Sequence, residues 1–231
     1  MGLIYSPKIV TDQLTVALDA ADKNSYPGSG TTWYDLSGRG NNATLINGPT
    51  VVNNVLVMDG TSDRVGAPSV NTLGGLPNQA FEIWVKTPGL GSGQSIGGLI
   101  CPDYGQISYI DGSGNVVYYL YSTDSGGAYL FSNSTTGVNV FDNKWHHIVC
   151  TRNNSVHHIY IDGISRATGT GGGTWTGSTI WSGMETSIGN NPNNVGYLFY
   201  GSIGLAKIYK KYLTQQEVLQ NYNTTKTRFG L

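Results

Sequence analysis

The stretch Trp145 to Gly163 constrains this chain more than any other. It reads WHHIVCTRNNSVHHIYIDG, two runs of β-branched and aromatic residues split by Asn153-Asn154 and closed by Asp162-Gly163. Such runs around turn residues fold as a hairpin, because branched and ring side chains fit a pleated, half-buried surface and Asn accepts a tight-turn backbone. A two-residue turn at Asn153-Asn154 sets Cys150 opposite His157 and Ile148 opposite Ile159. Ile148, Cys150, Ile159 and Ile161 then share one face, which is expected to be core.

The same patterning recurs along the chain. Leu14, Val16 and Leu18 alternate with Thr15 and Ala17 in a first strand that ends at Asp19, and Phe81, Ile83 and Val85 alternate with Glu82, Trp84 and Lys86. Further short strands are predicted at 43–46, 55–58, 64–67, near Leu99, and at 106–110, 116–121, 128–132, 164–168, 197–200 and 204–209. Turn clusters such as Asp59-Gly60-Thr61-Ser62-Asp63 and Asp111-Gly112-Ser113-Gly114-Asn115 separate them, and 106–132 reads as a meander. From Ala20 to Asn42 the chain makes a turn-rich excursion with Trp33, Tyr34 and Leu36 as its expected anchors. The one helix signal is the capping-box spacing Thr214-Gln215-Gln216-Glu217, with Leu213, Val218, Leu219 and Tyr222 able to face the domain. With no fixed-period repeat and no linker, residues 11–222 are read as one domain between an arm, 1–10, and a tail, 223–231.

The totals narrow the partners. At 231 residues and formal charge −1, with 12% charged residues and no Lys/Arg cluster, the chain lacks the basic footprint of a nucleic-acid or anionic-membrane binder. Its start, MGLIYSPKIVTDQL, has no basic and apolar leader, and no later run is long and apolar enough to span a bilayer. MGLIYS matches a myristoylation pattern only loosely, and nothing basic follows it to add a second membrane signal. Cys101 and Cys150 match no zinc or redox spacing and are expected to be buried free thiols.

Four stretches carry a resemblance to a known family: LDAADKNSYPGSGTTWYDLSGRGNNATL, VMDGTSDRV, the KWHHIVCTR to HIYIDG hairpin, and GSIGLAKIYKKYLTQQEVLQNY. Together they resemble the laminin-G-like, concanavalin A-like jelly-roll superfamily. The resemblance implies an all-β, two-sheet antiparallel sandwich with one short C-terminal helix. The opening stretch is similar to standalone proteins of tailed bacteriophages, where such domains form capsid decoration proteins, tail fibres and adhesins. That implies a non-catalytic virion surface protein, assembled in the host cytoplasm without a signal peptide. Its candidate partners are other virion proteins, a second copy of the chain and a host-surface polysaccharide, and the N-terminal segment Met1 to Gln13 is the expected virion attachment. Two alternatives stand beside it: a polysaccharide-degrading hydrolase or lyase of the same fold, and a carbohydrate-binding module of a cellular protein.

No catalytic residues are assigned. The glucanase pattern Glu-x-Asp-x-x-Glu is missing, and Glu82, Glu185 and Glu217 stand in three separate contexts, whereas a retaining pair needs carboxyls about 5 Å apart. Glycan contacts favour exposed aromatics on loops, which makes Trp175, Trp181 and Tyr197 the candidates, with a local mini-core or subunit interface as the competing use of each Trp. Tyr118, Tyr119 and Tyr121 alternate faces, so some are expected at the surface. The resemblance also implies a structural calcium, for which Asp59 and Asp63, with Asp35 and Asn41, are the candidate ligands; Asx turns account for the same residues without a metal. No other cofactor is implied. The hairpin register places His147 diagonal to His158 at about 7–8 Å, too few ligands for a closed zinc site, so packing explains them better.

Overall fold

The computed structural model describes residues 8–68, 78–102, 106–122, 128–171, 185–191 and 197–231. Among these, seventeen strands run in chain order: β1 Leu14–Asp19, β2 Thr32–Trp33, β3 Ala43–Ile46, β4 Thr50–Val52, β5 Val55–Asp59, β6 Arg64–Ala67, β7 Asn78–Lys86, β8 Ile96–Gly98 and β9 Ile100–Cys101. They continue as β10 Gln106–Asp111, β11 Val116–Ser122, β12 Ala128–Ser134, β13 Trp145–Asn153, β14 Val156–Ile161, β15 Ile164–Thr170, β16 Thr186–Ile188 and β17 Tyr200–Tyr209. Helix α1, Gln215–Thr225, and a 3-10 turn, Lys226–Phe229, end the chain.

The strands build two antiparallel layers. The back layer runs β15, β14, β13, β7, β17, β5, β4, with β1 paired to the second half of β17. The front layer joins the meander β12, β11, β10, β8 to the ladder β2, β3, β6, β16, β9. Ser108 is the seam: its carbonyl accepts from Leu99 N at 2.8 Å, and its hydroxyl bonds both Ile100 N and Ile100 O. Between the layers lies one apolar core that includes Phe81, Ile83, Val85, Ile148, Cys150, Ile159, Ile161, Val116, Tyr118 and Leu120. The expected hairpin face is therefore core, and both cysteines are buried thiols outside any disulfide, with burial pushing the Cys150 thiol pKa up.

The hairpin register differs from the expected one. Cys150 pairs with Ile159 and Ile148 with Ile161, because Asn153 extends the ladder opposite Val156 and the turn falls on Asn154-Ser155, with Asn154 at φ 51°. The slip is two residues, so every side chain keeps its face. The Asn-Asn dipeptide that does turn a hairpin is Asn53-Asn54, both left-handed, between β4 and β5. Strand β17 begins at Tyr200 as one continuous run, and β2, β4 and β16 are too short to show a period in the sequence. Of the excursion's three anchors only Trp33 is buried; Tyr34 and Leu36 are exposed.

The outer face of the back layer is also covered. Helix α1 starts on the predicted capping box, Thr214 with Glu217, and its Val218, with Leu213 just before the cap, packs with Ala80, Val149, Tyr160 and Tyr209, while Leu219 points to solvent. Trp84 is fully buried there: it stacks on Phe229 with ring centroids 4.2 Å apart, and its Nε1 donates to Thr225 Oγ1 at 2.9 Å. Residues 223–231, read from sequence as a tail, thus complete a second core. At the other terminus, Val10 N donates to Asn221 Oδ1 at 2.7 Å, so the end of the arm is fixed beneath α1. Among the described residues, no helix is long and apolar enough to cross a membrane.

Candidate functional site

Of the three glycan candidates, Trp175 and Trp181 lie outside the described residues, and Tyr197 is half-buried on a rim of the sandwich. Three segments close this rim: the turn after β5, the loop before β8, and the approach to β17. Gly98 N donates to Tyr197 O at 2.9 Å, Leu198 N to Gln94 Oε1 at 3.0 Å, and Phe199 N to Gly189 O at 2.9 Å. Tyr200, opposite Asp59, is 41% exposed on the same rim. Gly60 makes its position available: a Cβ there would lie 2.7 Å from Tyr200 Cβ and 3.0 Å from Gly91 Cα, and the glycine also holds φ +70°. Nearby, Asn190 is buried with its Oδ1 unpartnered among the described residues. Sequence reasoning passed over Tyr200 because alternation separates Tyr200 from Tyr197 without saying which side faces solvent.

The four calcium candidates fall into two places. Asp59 Oδ1 accepts from the backbone N of Thr61, Ser62 and Asp63, and its Oδ2 from the hydroxyls of Thr61 and Ser62. Desolvation at Asp59 is outweighed by these bonds, which hold the carboxyl well below the usual range, whereas burial and the Asp59 charge push Asp63 up. Asp35 accepts from Ala17 N, Ser37 N, Ser37 Oγ and Asn41 N, and Asn41 Nδ2 donates to Thr15 O. Ala17 pairs with Lys207 and Asp59 with Tyr200, so seven residues of β17, about 23 Å, separate the two loops. As placed, the four side chains do not form one oxygen shell. Their neighbours are N–H and O–H donors, which compete with a cation for the same lone pairs.

The histidines are likewise dispersed. Since Thr151 pairs with His158, His147 sits four residues away along β13, about 13 Å, rather than diagonal to it. His158 bonds Thr168 Oγ1 at 3.0 Å and stacks near Tyr160. His147 lies against Trp84 and Tyr222, with Nε2 3.2 Å from Glu82 Oε1 but without full hydrogen-bond alignment. Among the described residues, no three His, Cys, Asp or Glu side chains gather for a metal.

His146 is different in kind. It bridges two carboxylates, Nδ1 to Asp162 Oδ2 at 2.9 Å and Nε2 to Asp142 Oδ1 at 3.1 Å. Burial lowers its pKa, but bonds and charge from Asp162 and Asp142 outweigh that and raise it. The folded state therefore holds this proton more tightly than the unfolded chain. The stabilisation is complete below the ordinary His value near ~6.5 and is lost as pH rises through the higher folded value. Urea midpoints of wild type minus His146→Gln should fall across that window, and a flat difference would contradict the ion pairs.

Glu82 anchors a sealed polar network under α1. Its Oε1 accepts from Lys207 Nζ at 2.7 Å, and its Oε2 from Asn221 Nδ2 at 2.6 Å and Tyr209 OH at 3.3 Å. Burial pushes its pKa up, yet the Lys207 charge and the His147 contact prevail and hold it at about 2. The other two glutamates are elsewhere: Glu185 pairs with Arg64 beside β6, and Glu217 caps α1 and binds Lys211 at 2.6 Å. No two of the three form a carboxylate pair.

The fold has known relatives. The binding domain of Paraclostridial Mosquitocidal Protein 1 superposes with a TM-score of 0.70 at 15% identity, covering 93% of this chain and 52% of that one. The receptor binding domain of botulinum neurotoxin C/D mosaic serotype gives 0.64 at 14% identity, with 93% and 52% covered. Trypanosoma rangeli sialidase gives 0.65 at 18% identity, with 94% and 33% covered. The chain thus spans about half the length of the toxin domains and a third of the sialidase. No characterised protein sequence matches it. A family model described as the concanavalin A-like lectin/glucanases superfamily matches residues 59–219, from the rim turn through the hairpin and into α1, and the chain belongs to that superfamily.

Proposed function

We propose that this chain is a non-catalytic, glycan-binding β-sandwich carried on the surface of a tailed-phage virion, as a capsid decoration or tail fibre component. The exposed ring of Tyr200 on a rim of fixed backbone carries the binding reading, since a flat ring stacks on a sugar face while nearby amide and carboxylate groups meet its hydroxyls. Tyr197 and Asn190, whose buried Oδ1 has no partner among the described residues, belong to the same rim, and Trp175 and Trp181 are proposed to act with them. The lectin-like fold supports this reading, as do the toxin relatives, which are themselves binding domains. The virion setting rests on the similarity of the opening stretch to phage surface proteins.

Binding to purified bacterial surface polysaccharides tests the proposal. The whole chain should retain at least one polysaccharide, and Tyr200→Ala, Trp175→Ala or Trp181→Ala should each weaken retention by about tenfold, the order expected for losing a stacked ring. No retention, or release of shortened product, contradicts non-catalytic binding. Imaging of particles labelled against the chain tests the virion location.

A further inference from the structure

We propose that a pocket between the β4–β5 turn and the C-terminal 3-10 turn is a second saccharide site, separate from the rim, that takes a neutral pyranose. Asn53, Asn54, Trp145, Arg228 and Phe229 are among its walls, and it encloses about 360 Å³, inside the ~300–1,000 Å³ of small-molecule sites. It faces away from the inter-layer core, and Asn54 and Asp59 lie at opposite ends of β5, five residues or about 17 Å apart.

The aromatic wall is built by an omission on β17. A Cβ on Gly204 would lie 2.4 Å from Phe229 Cε1 and 3.6 Å from Trp145 Cζ3, so glycine leaves the room both rings occupy. The rings meet at 4.8 Å and 51°; Phe229 is buried and Trp145 only half-buried, which makes Trp145 the ring open to a ligand. The β4–β5 turn adds polarity. Asn53 and Asn54 hold φ 52° and 64°, and their side-chain amides, like the Trp145 indole N–H, make no hydrogen bond among the described residues.

Charge selects the ligand class. Arg228 Nη1 bonds Asp19 Oδ2 at 2.6 Å, Nη2 bonds Gly204 O at 3.1 Å, and the guanidinium lies 4.8 Å over Phe229. Its charge is therefore matched and its position fixed. What the pocket offers is a ring for C–H groups and amides for hydroxyls, with no uncompensated cation for a carboxylate.

NMR titration of the whole chain with glucose, galactose, mannose and N-acetylglucosamine, with N-acetylneuraminic acid as the acidic counterpart, tests this. The reporter is the Trp145 indole N–H, assigned by its disappearance in Trp145→Phe. At least one neutral sugar should shift it saturably at millimolar concentration. The double variant Asn53→Gly, Asn54→Gly should weaken that response by about tenfold, as glycine keeps the left-handed turn and removes only the amides. Tyr200→Ala should leave it unchanged. An indole unmoved by every neutral sugar, moved only by the acidic one, or moved equally in the glycine double variant overturns the site. Loss of polysaccharide retention in Tyr200→Ala reports on the rim alone, so each reading fails separately.

Discussion

Glu82→Ala is expected to destabilise the fold by about 3–5 kcal/mol, the cost of leaving a buried partner charge uncompensated. Lys207 is 5% exposed and has Glu82 as its ion-pair partner; Asn221 and Tyr209 also direct a hydrogen bond to the same carboxylate. Removing it strands a cation and weakens the tie between β7, β17 and α1, and with it the hold on Val10 through Asn221. Replacing both charges, Glu82→Met with Lys207→Met, should recover much of the loss, because an apolar pair of similar volume has no desolvation cost to offset. Urea unfolding of the single and double variants checks both statements. A single-variant loss below about 1 kcal/mol would mean that Lys207 finds water or another partner without disturbing α1.

Phe229→Ala should cost about 3 kcal/mol, at the lower end for a core aromatic because the ring keeps a small exposed edge. Phe229 is the third residue from the end of the sequence, yet it stacks on Trp84, touches Trp145 and fills the space that Gly204 leaves open. Its loss should lower the melting temperature and alter the tryptophan emission of Trp84 together, whereas Leu231→Ala, at an exposed position, should change neither. A Phe229→Ala variant as stable as wild type would mean that the terminal turn rides on the sandwich without supporting it.

These two sites mark where sequence reasoning stopped. The alternation of Phe81, Ile83 and Val85 with Glu82 and Trp84 separated two faces correctly, and the inner one is core. It could not say that the outer face is covered as well, since an outward Trp and Glu fit equally a solvent-facing strand. At the hairpin, a two-residue error in register left the core face intact, because side-chain parity has period two, but it removed the proposed proximity of His147 and His158. Asp59 and Asp63 were legible as one turn from their spacing. Asp35 and Asn41 could be joined to them only by guesswork, since contact between separate loops depends on how strands far apart in sequence align.

Composition, parity and the Thr214–Glu217 cap, by themselves, determined that this chain is built of short strands with one core-facing side and ends in a short helix, because each of those signals is read over a few neighbouring residues, while the two-sheet sandwich was implied by the family resemblance. Tertiary structure alone decided that Glu82 meets Asn221 across 139 positions, that Tyr200 rather than Leu198 is exposed, and that Trp145 and Asn53-Asn54 wall one pocket. The physical reason is that burial and contact are properties of which surfaces the layers bring together, and a strand's own pattern does not record what lies on its far side.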